Sequence, residues 1–152
     1  MDRKLILLVE DNPDDEALTL RALRRNNILN EVIVVRDGAE ALEYLFAAGR
    51  YAGRGTETDP QVVLLDLKLP KFSGVEVLRR LRAEERTRRT PVVVLTSSQE
   101  ERDVVDCYNH GVNSYVCKPI DFKQFTDAVR QLGLYWMPLN VPPPGSARGA
   151  SQ

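Results

Sequence analysis

Four strand-length apolar runs in this chain each end in a group able to do chemistry, and that pattern narrows the fold more than any other feature. Leu5-Ile6-Leu7-Leu8-Val9 runs into Glu10-Asp11, and Gln61-Val62-Val63-Leu64-Leu65 runs into Asp66-Leu67-Lys68-Leu69-Pro70. Pro91-Val92-Val93-Val94-Leu95 runs into Thr96-Ser97-Ser98, and Ser114-Tyr115-Val116-Cys117 into Lys118-Pro119. Continuous apolar runs of this length suit strands covered on both faces, as in parallel sheets. A carboxylate at the tip of a buried strand is costly unless metal, partner charge or chemistry justifies it. With the strands parallel, acids, a hydroxyl and an ammonium converge on one sheet edge, where open α/β sheets place their sites.

The segments between the runs read as helices. The first strand covers Lys4 to Val9, and a helix starts near Pro13-Asp14-Asp15, where acids suit the positive end of the helix dipole. Arg21, Arg24 and Arg25 fall within an arc of about 100° at 3.6 residues per turn, leaving Leu18, Leu20, Ala22 and Leu23 to pack. Asn26-Asn27 ends that helix, and a second strand covers Glu31 to Val35. The second helix follows Asp37-Gly38, with Ala41, Leu42, Leu45 and Phe46 on one face. A third, from about Gly74 to Glu85, buries Val77, Leu78 and Leu81. A fourth opens at Ser98 with Glu101 three residues on, a capping-box pattern, and has a thin apolar face of Val104, Val105 and Tyr108. The fifth opens at Asp121 and turns Phe122, Phe125, Val129 and Leu132 to the sheet. This alternation implies a doubly wound α/β domain with right-handed crossovers and helices on both faces. The polar, glycine-bearing stretch from Arg50 to Pro60 exceeds the usual connection of roughly two to six residues.

Residues 1–137 fit one domain of a 152-residue chain. Residues 138–152, with Pro142-Pro143-Pro144-Gly145 and small polar groups, cannot form a core and read as a flexible tail. A net charge of −1 gives no global drive toward nucleic acid, so no DNA partner is expected. The apolar runs are too short to span a membrane, and no signal peptide is expected before Met1-Asp2-Arg3-Lys4. Cys107 and Cys117 lack metal-ligand spacing and suit a reduced cytoplasm as buried small hydrophobes.

The order of these groups resembles the receiver domain of two-component response regulators over roughly Lys4 to Leu132. An acid pair follows strand 1, Asp-Leu-Lys-Leu-Pro follows strand 3, Thr-Ser follows strand 4 and Lys-Pro follows strand 5. Glu10-Asp11-Asn12-Pro13-Asp14-Asp15, Leu95-Thr96-Ser97-Ser98, Asn113-Ser114-Tyr115-Val116 and Leu132-Gly133-Leu134-Tyr135-Trp136 are similar to stand-alone regulators paired with bacterial phytochrome-type sensor kinases. The resemblance implies the strand order 2-1-3-4-5. It also implies that Asp66 accepts a phosphoryl group from a kinase phosphohistidine. Glu10, Asp11, Asp66 and the Lys68 backbone carbonyl would hold Mg²⁺, a hard cation that wants oxygen ligands. Lys118 and Thr96 would bind phosphoryl oxygens, and Tyr115 would turn inward as Thr96 moves toward the phosphoryl group. Glu10 departs from the commoner aspartate by one methylene. The resemblance also implies a cis Lys118-Pro119 bond. A homodimer is expected through the strand 5 and helix 5 region with Leu134, Tyr135 and Trp136, because the apolar residues past helix 5 would form an exposed patch.

Taken singly, these residues have plainer readings. Asp11 or Asp14 alone reads as a helix N-cap, Lys118 as an exposed turn residue and Tyr115 as core. His110 reads as a surface structural residue. The Arg79, Arg80, Arg82, Arg86, Arg88, Arg89 series, interleaved with Glu84 and Glu85, reads first as a solvated face and second as a dock for an acidic partner. Three other functions compete. A phosphohydrolase using an aspartyl-phosphate wants a second acid two residues after the nucleophile, where this chain has Lys68. A flavin module wants a phosphate loop after strand 1, where the acids here would repel phosphate. A degenerate receiver acting only by interaction is disfavoured by Asp66, Thr96 and Lys118.

Overall fold

The computed structural model describes residues 5–25, 28, 30–96, 109–112, 114–117, 123 and 127. Strands β1 (Leu5–Val9), β2 (Val32–Val35), β3 (Pro60–Asp66), β4 (Val92–Thr96) and β5 (Ser114–Cys117) form one sheet. Its order is β2-β1-β3-β4-β5, as the resemblance implied, and every neighbouring pair runs parallel. The chain therefore leaves β1 for one side of the sheet and returns at β3 to build the other side. The gap between the carboxyl ends of β1 and β3 is the point where the winding reverses.

Period-2 alternation along the central strands explains why helices cover both faces. Ile6, Leu8, Val62, Leu64, Val93 and Leu95 share one core with Leu23 of α1 (Pro13–Arg25). Leu7, Val9, Val63, Leu65, Val92 and Val94 share the other with α2 (Gly38–Leu45) and α3 (Gly74–Ala83). Val77, Leu78 and Leu81 are fully buried as the sequence predicted. In α1 Leu20, Ala22 and Leu23 pack as predicted, but Leu18 is 43% exposed, and Thr19 is buried instead, its Oγ1 without a hydrogen-bond partner among the described residues. The buried stripe is Thr19, Ala22 and Leu23, an i, i+3, i+4 set, and Leu18 sits about 100° off its start. Among the described residues no helix is long and apolar enough to cross a membrane. The helices expected from Ser98 and Asp121, the Lys118-Pro119 bond, the Leu134–Trp136 cluster and the tail lie outside the described residues.

The long α2–β3 connection is built around one guanidinium. Two short 3-10 helices, Gly49–Tyr51 and Thr56–Thr58, leave Arg54 between them with its side chain only 8% exposed. Arg54 Nε donates to Tyr44 O at 2.8 Å and Nη2 to Leu45 O at 3.2 Å, satisfying carbonyls at the end of α2. Its Nη1 donates to Asp59 Oδ1 at 2.8 Å, and the guanidinium lies 4.3 Å from the Tyr44 ring centre. Tyr44 meets Tyr51 edge-on at 5.0 Å and donates its hydroxyl to Thr58 O at 2.7 Å. Asp59 also accepts from Arg86 Nη2 at 3.0 Å, so the loop is tied to the segment after α3.

Burial and a 2.8 Å hydrogen bond to Glu40 Oε2 push the Tyr51 phenol up to about 12, because ionisation would place two negative charges together. Burial also raises Tyr44. A phenol whose folded value lies above its unfolded value stabilises the fold below the unfolded value of 10.0, and that contribution fades as pH rises toward 12. Alkaline denaturation of wild type and Tyr51→Phe should therefore diverge between these limits, with the variant losing less stability. Parallel curves would contradict the protected phenol.

Apart from Arg86, which pairs with Asp59, the arginine series divides into three kinds of residue. Arg79 and Arg80 are exposed and both bind Glu76, whose carboxyl they hold at about 2. Arg82 is instead a structural tie: it donates to His110 O, Arg88 O, Thr90 O and Gly111 O, linking α3 to the turn before β5. Arg88 and Arg89 are solvent-exposed.

Candidate metal and phosphoacceptor site

β1 and β3 deliver the acids to the carboxyl edge at the reversal point. Glu10 continues the ladder past β1, its amide donating to Val35 O at 2.9 Å, and it is fully buried. Its Oε2 accepts from the Asn12 amide at 3.3 Å, which folds the chain back toward α1. Asn12 Oδ1 then accepts from the amides of Asp14 and Asp15 at 2.8 and 3.1 Å. Asn12 is therefore the cap of α1, and neither Asp11 nor Asp14 is needed for it. The signal was present in the sequence: Asn followed by Pro is a strong pairing for a cap and the first helical position.

Released from capping, Asp11 is exposed at the mouth of the site. Asp66 ends β3, is 7% exposed and accepts from the Lys68 amide through Oδ1 at 3.1 Å. One carboxylate oxygen from each of Glu10, Asp11 and Asp66 falls within a 4.8 Å set. All three donors are hard oxygens, converging from two strand ends onto a point half buried and half open, and this donor set fits a divalent hard cation. A third strand end is adjacent: Asp66 pairs with Leu95, so Thr96 lies one residue farther along β4 at the same edge. Thr96 in turn pairs with Cys117 of β5. The Thr96 side chain and all of Lys118 lie outside the described residues. The Lys68 side chain is exposed, and its backbone amide contacts Asp66. Tyr115 pairs with Val94 and is half-buried against the core on the α2 and α3 face.

A doubly wound parallel sheet with an acid trio at its reversal point defines a class of α/β proteins whose chemistry sits outside the strand ends. Residues 6–130 match the family model of the response regulator receiver domain, and the chain belongs to that family. It is a receiver-domain response regulator. The chain is 57% identical to the bacteriophytochrome response regulator RtBRR, with a TM-score of 0.82 covering 96% of this chain and 87% of that one. It is 52% identical to the bacteriophytochrome response regulator AtBRR, with a TM-score of 0.81 over 93% and 100% of the two chains. Response regulator Rcp1 of Synechocystis sp. is 38% identical over 134 residues, 88% of this chain and 89% of Rcp1. Its solved Mn²⁺-bound form has a TM-score of 0.73, covers 93% and 99% of the two chains, and is 37% identical. The probable methanogenesis regulatory protein FilR2 of Methanothrix harundinacea is 41% identical over 142 residues, 93% of this chain and 89% of that one.

Proposed function

We propose that this protein accepts a phosphoryl group on Asp66 from a sensor histidine kinase of the bacteriophytochrome type, in the cytoplasm, with Mg²⁺ held by Glu10, Asp11, Asp66 and the Lys68 carbonyl. The observation that carries the reading is the meeting of Glu10, Asp11 and Asp66 carboxylate oxygens at the reversal point. The Mn²⁺-bound form of Rcp1 supports a divalent cation for this site, and the names of RtBRR and AtBRR support the kinase class. Mg²⁺ bound there supplies the positive charge that lets an anionic carboxylate approach an anionic phosphoryl group. The chain's own residues do the rest. The Lys68 amide holds the Asp66 carboxylate in one orientation, which favours in-line attack on phosphorus as the bond to the kinase histidine breaks. Thr96 and Lys118 bind the transferred oxygens, and Tyr115 follows Thr96 inward as the switch. The resulting acyl phosphate later hydrolyses in the same site. Residues 1–137 form the receiver unit, which dimerises through the β5 and helix 5 region with Leu134, Tyr135 and Trp136. Light scattering of the full chain against a truncation after Gly133 tests that assembly, and a monomeric full chain would refute it.

Mg²⁺ titration followed by thermal unfolding tests the cation. A ligand that binds only the folded state adds about 2.7 kcal/mol at a hundred times its Kd. Wild type should gain stability with Mg²⁺ concentration, Glu10→Gln should bind it more weakly, and Asp11→Asn should lose about tenfold or more in affinity. Unaltered Mg²⁺ affinity in Asp11→Asn would remove that residue from the metal shell. The kinase assignment is tested by timed phosphotransfer against the sensor kinases of the same cell. The fastest donor should be a bacteriophytochrome kinase, and a preference for another class would refute the pairing.

A further inference from the structure

The loop that carries Lys68 touches α2 as well as β3 and α3. At its base, Gly74 packs so close that a Cβ there would sit 2.3 Å from Asp66 O, and its amide donates to Leu67 O at 2.8 Å. At its tip, the Gly38 amide donates to Pro70 O at 3.3 Å. A Cβ on Gly38 would meet Phe72 O at 2.2 Å and Phe72 Cβ at 2.7 Å, where ordinary contact begins at 3.4 Å. The Arg80 guanidinium lies over the Phe72 ring, 4.6 Å from its centre. Between these holds, Lys71 adopts φ +68°, a left-handed conformation that disfavours a side chain and persists only where the surroundings impose it. Asp37 joins the two elements: its Oδ1 caps α2 at the Glu40 amide, 2.7 Å, and its Oδ2 lies 3.7 Å from Lys71 Nζ.

We propose that the amino end of α2, through Asp37 and Gly38, positions the β3–α3 loop so that Lys68 and Asp66 are set at the spacing a Mg²⁺ ion needs. The proposal rests on the metal site put forward above and adds two positioning residues that do not touch the ion. Lys68 lies between the loop's base at Asp66 and its tip at Pro70, so a tip displaced by roughly 1 Å carries Lys68 with it. Mg²⁺ demands near-ideal octahedral ligands at about 2.0–2.1 Å, whereas Ca²⁺ accepts flexible shells at about 2.3–2.6 Å. Loss of positioning therefore weakens Mg²⁺ more than Ca²⁺. Plain destabilisation of the fold weakens both alike.

The test measures Mg²⁺ and Ca²⁺ affinities by calorimetry for wild type, Gly38→Ala, Asp37→Ser and Asp11→Asn. Serine retains the cap of α2 and removes the charge beside Lys71. Gly38→Ala should lose about tenfold in Mg²⁺ affinity with under twofold change for Ca²⁺, and Asp37→Ser should lose two- to threefold with the same selectivity. If Gly38→Ala does not fold, the Asp37→Ser ratio decides. An unchanged Mg²⁺/Ca²⁺ ratio in the folded variants, with Asp11→Asn still weakened, overturns the positioning role alone. No measurable Mg²⁺ binding to wild type, or binding indifferent to Glu10→Gln, Asp11→Asn and Asp66→Asn alike, overturns the metal site itself.

Discussion

Asp66→Asn should abolish phosphoryl acceptance while leaving the chain folded. The amide cannot form the acyl phosphate, yet it matches the carboxylate in shape, and its oxygen can still accept from the Lys68 amide that Asp66 Oδ1 bonds at 3.1 Å. The variant also removes one of three clustered carboxylates, relieving repulsion at an edge where Glu10 is fully buried. Its unfolding free energy without metal should equal or exceed that of wild type by up to about 1 kcal/mol. Phosphotransfer from the cognate kinase should fall to background, and Mg²⁺ should protect the variant less. Substantial transfer to purified, folded Asn variant would exclude Asp66 as the acceptor.

Arg54→Ala should give the largest stability loss of any single charged-residue change in the described structure. Its guanidinium satisfies the Tyr44 and Leu45 carbonyls, pairs with Asp59 and stacks on Tyr44, all with the side chain nearly enclosed. Removal takes the guanidinium donor from Leu45 O, leaves Tyr44 O with the Ala47 amide at 3.3 Å, and opens a cavity against an aromatic ring, which together cost about 3 kcal/mol. Asp59 keeps Arg86 at 3.0 Å and is part-exposed, so its share is discounted. Arg54→Lys retains charge without the planar fork and should recover about half. Arg50→Ala is the contrast: that side chain is 55% exposed beside Glu43, and its loss should leave the unfolding midpoint close to that of wild type. Urea unfolding at unchanged m-value measures all three. Because the loop enters the amino end of β3, opposite Asp66, Mg²⁺ affinity should survive in Arg54→Ala. A loss for Arg54→Ala no larger than that for Arg50→Ala would show that the loop does not depend on this residue.

These two residues mark what the sequence does and does not reveal. Asp66 was legible because a carboxylate ending the most apolar strand is anomalous in isolation, and order along the chain supplied its companions Glu10 and Asp11. That both faces of the sheet are covered was legible from the unbroken apolar runs of β1, β3 and β4, which are buried nearly throughout. Arg54 was not legible. In the sequence it is one arginine in a polar loop, and its role depends on where backbone carbonyls at the end of α2 point. Arg82 is a similar case, with guanidinium donors reaching carbonyls at His110 and Gly111 that are distant in sequence. The Leu18 and Thr19 exchange in α1 has another cause. Composition favours leucine inward, but helix phase is fixed by Ala22 and Leu23, and that phase carries Thr19 into the core. Asn12 could have been found from Asn-Pro at the helix start, although the neighbouring acids competed for the same role.

Trapping the adduct tests the central claim most directly. Wild-type protein is incubated with a small phosphodonor, with and without Mg²⁺, weighed intact, and then reduced with borohydride, which converts an aspartyl phosphate to homoserine at the modified position. The account predicts a single phosphoryl adduct that requires Mg²⁺ and leaves homoserine at position 66. Homoserine at another position, a phosphoryl group on His110, or steady release of phosphate with no adduct would contradict it.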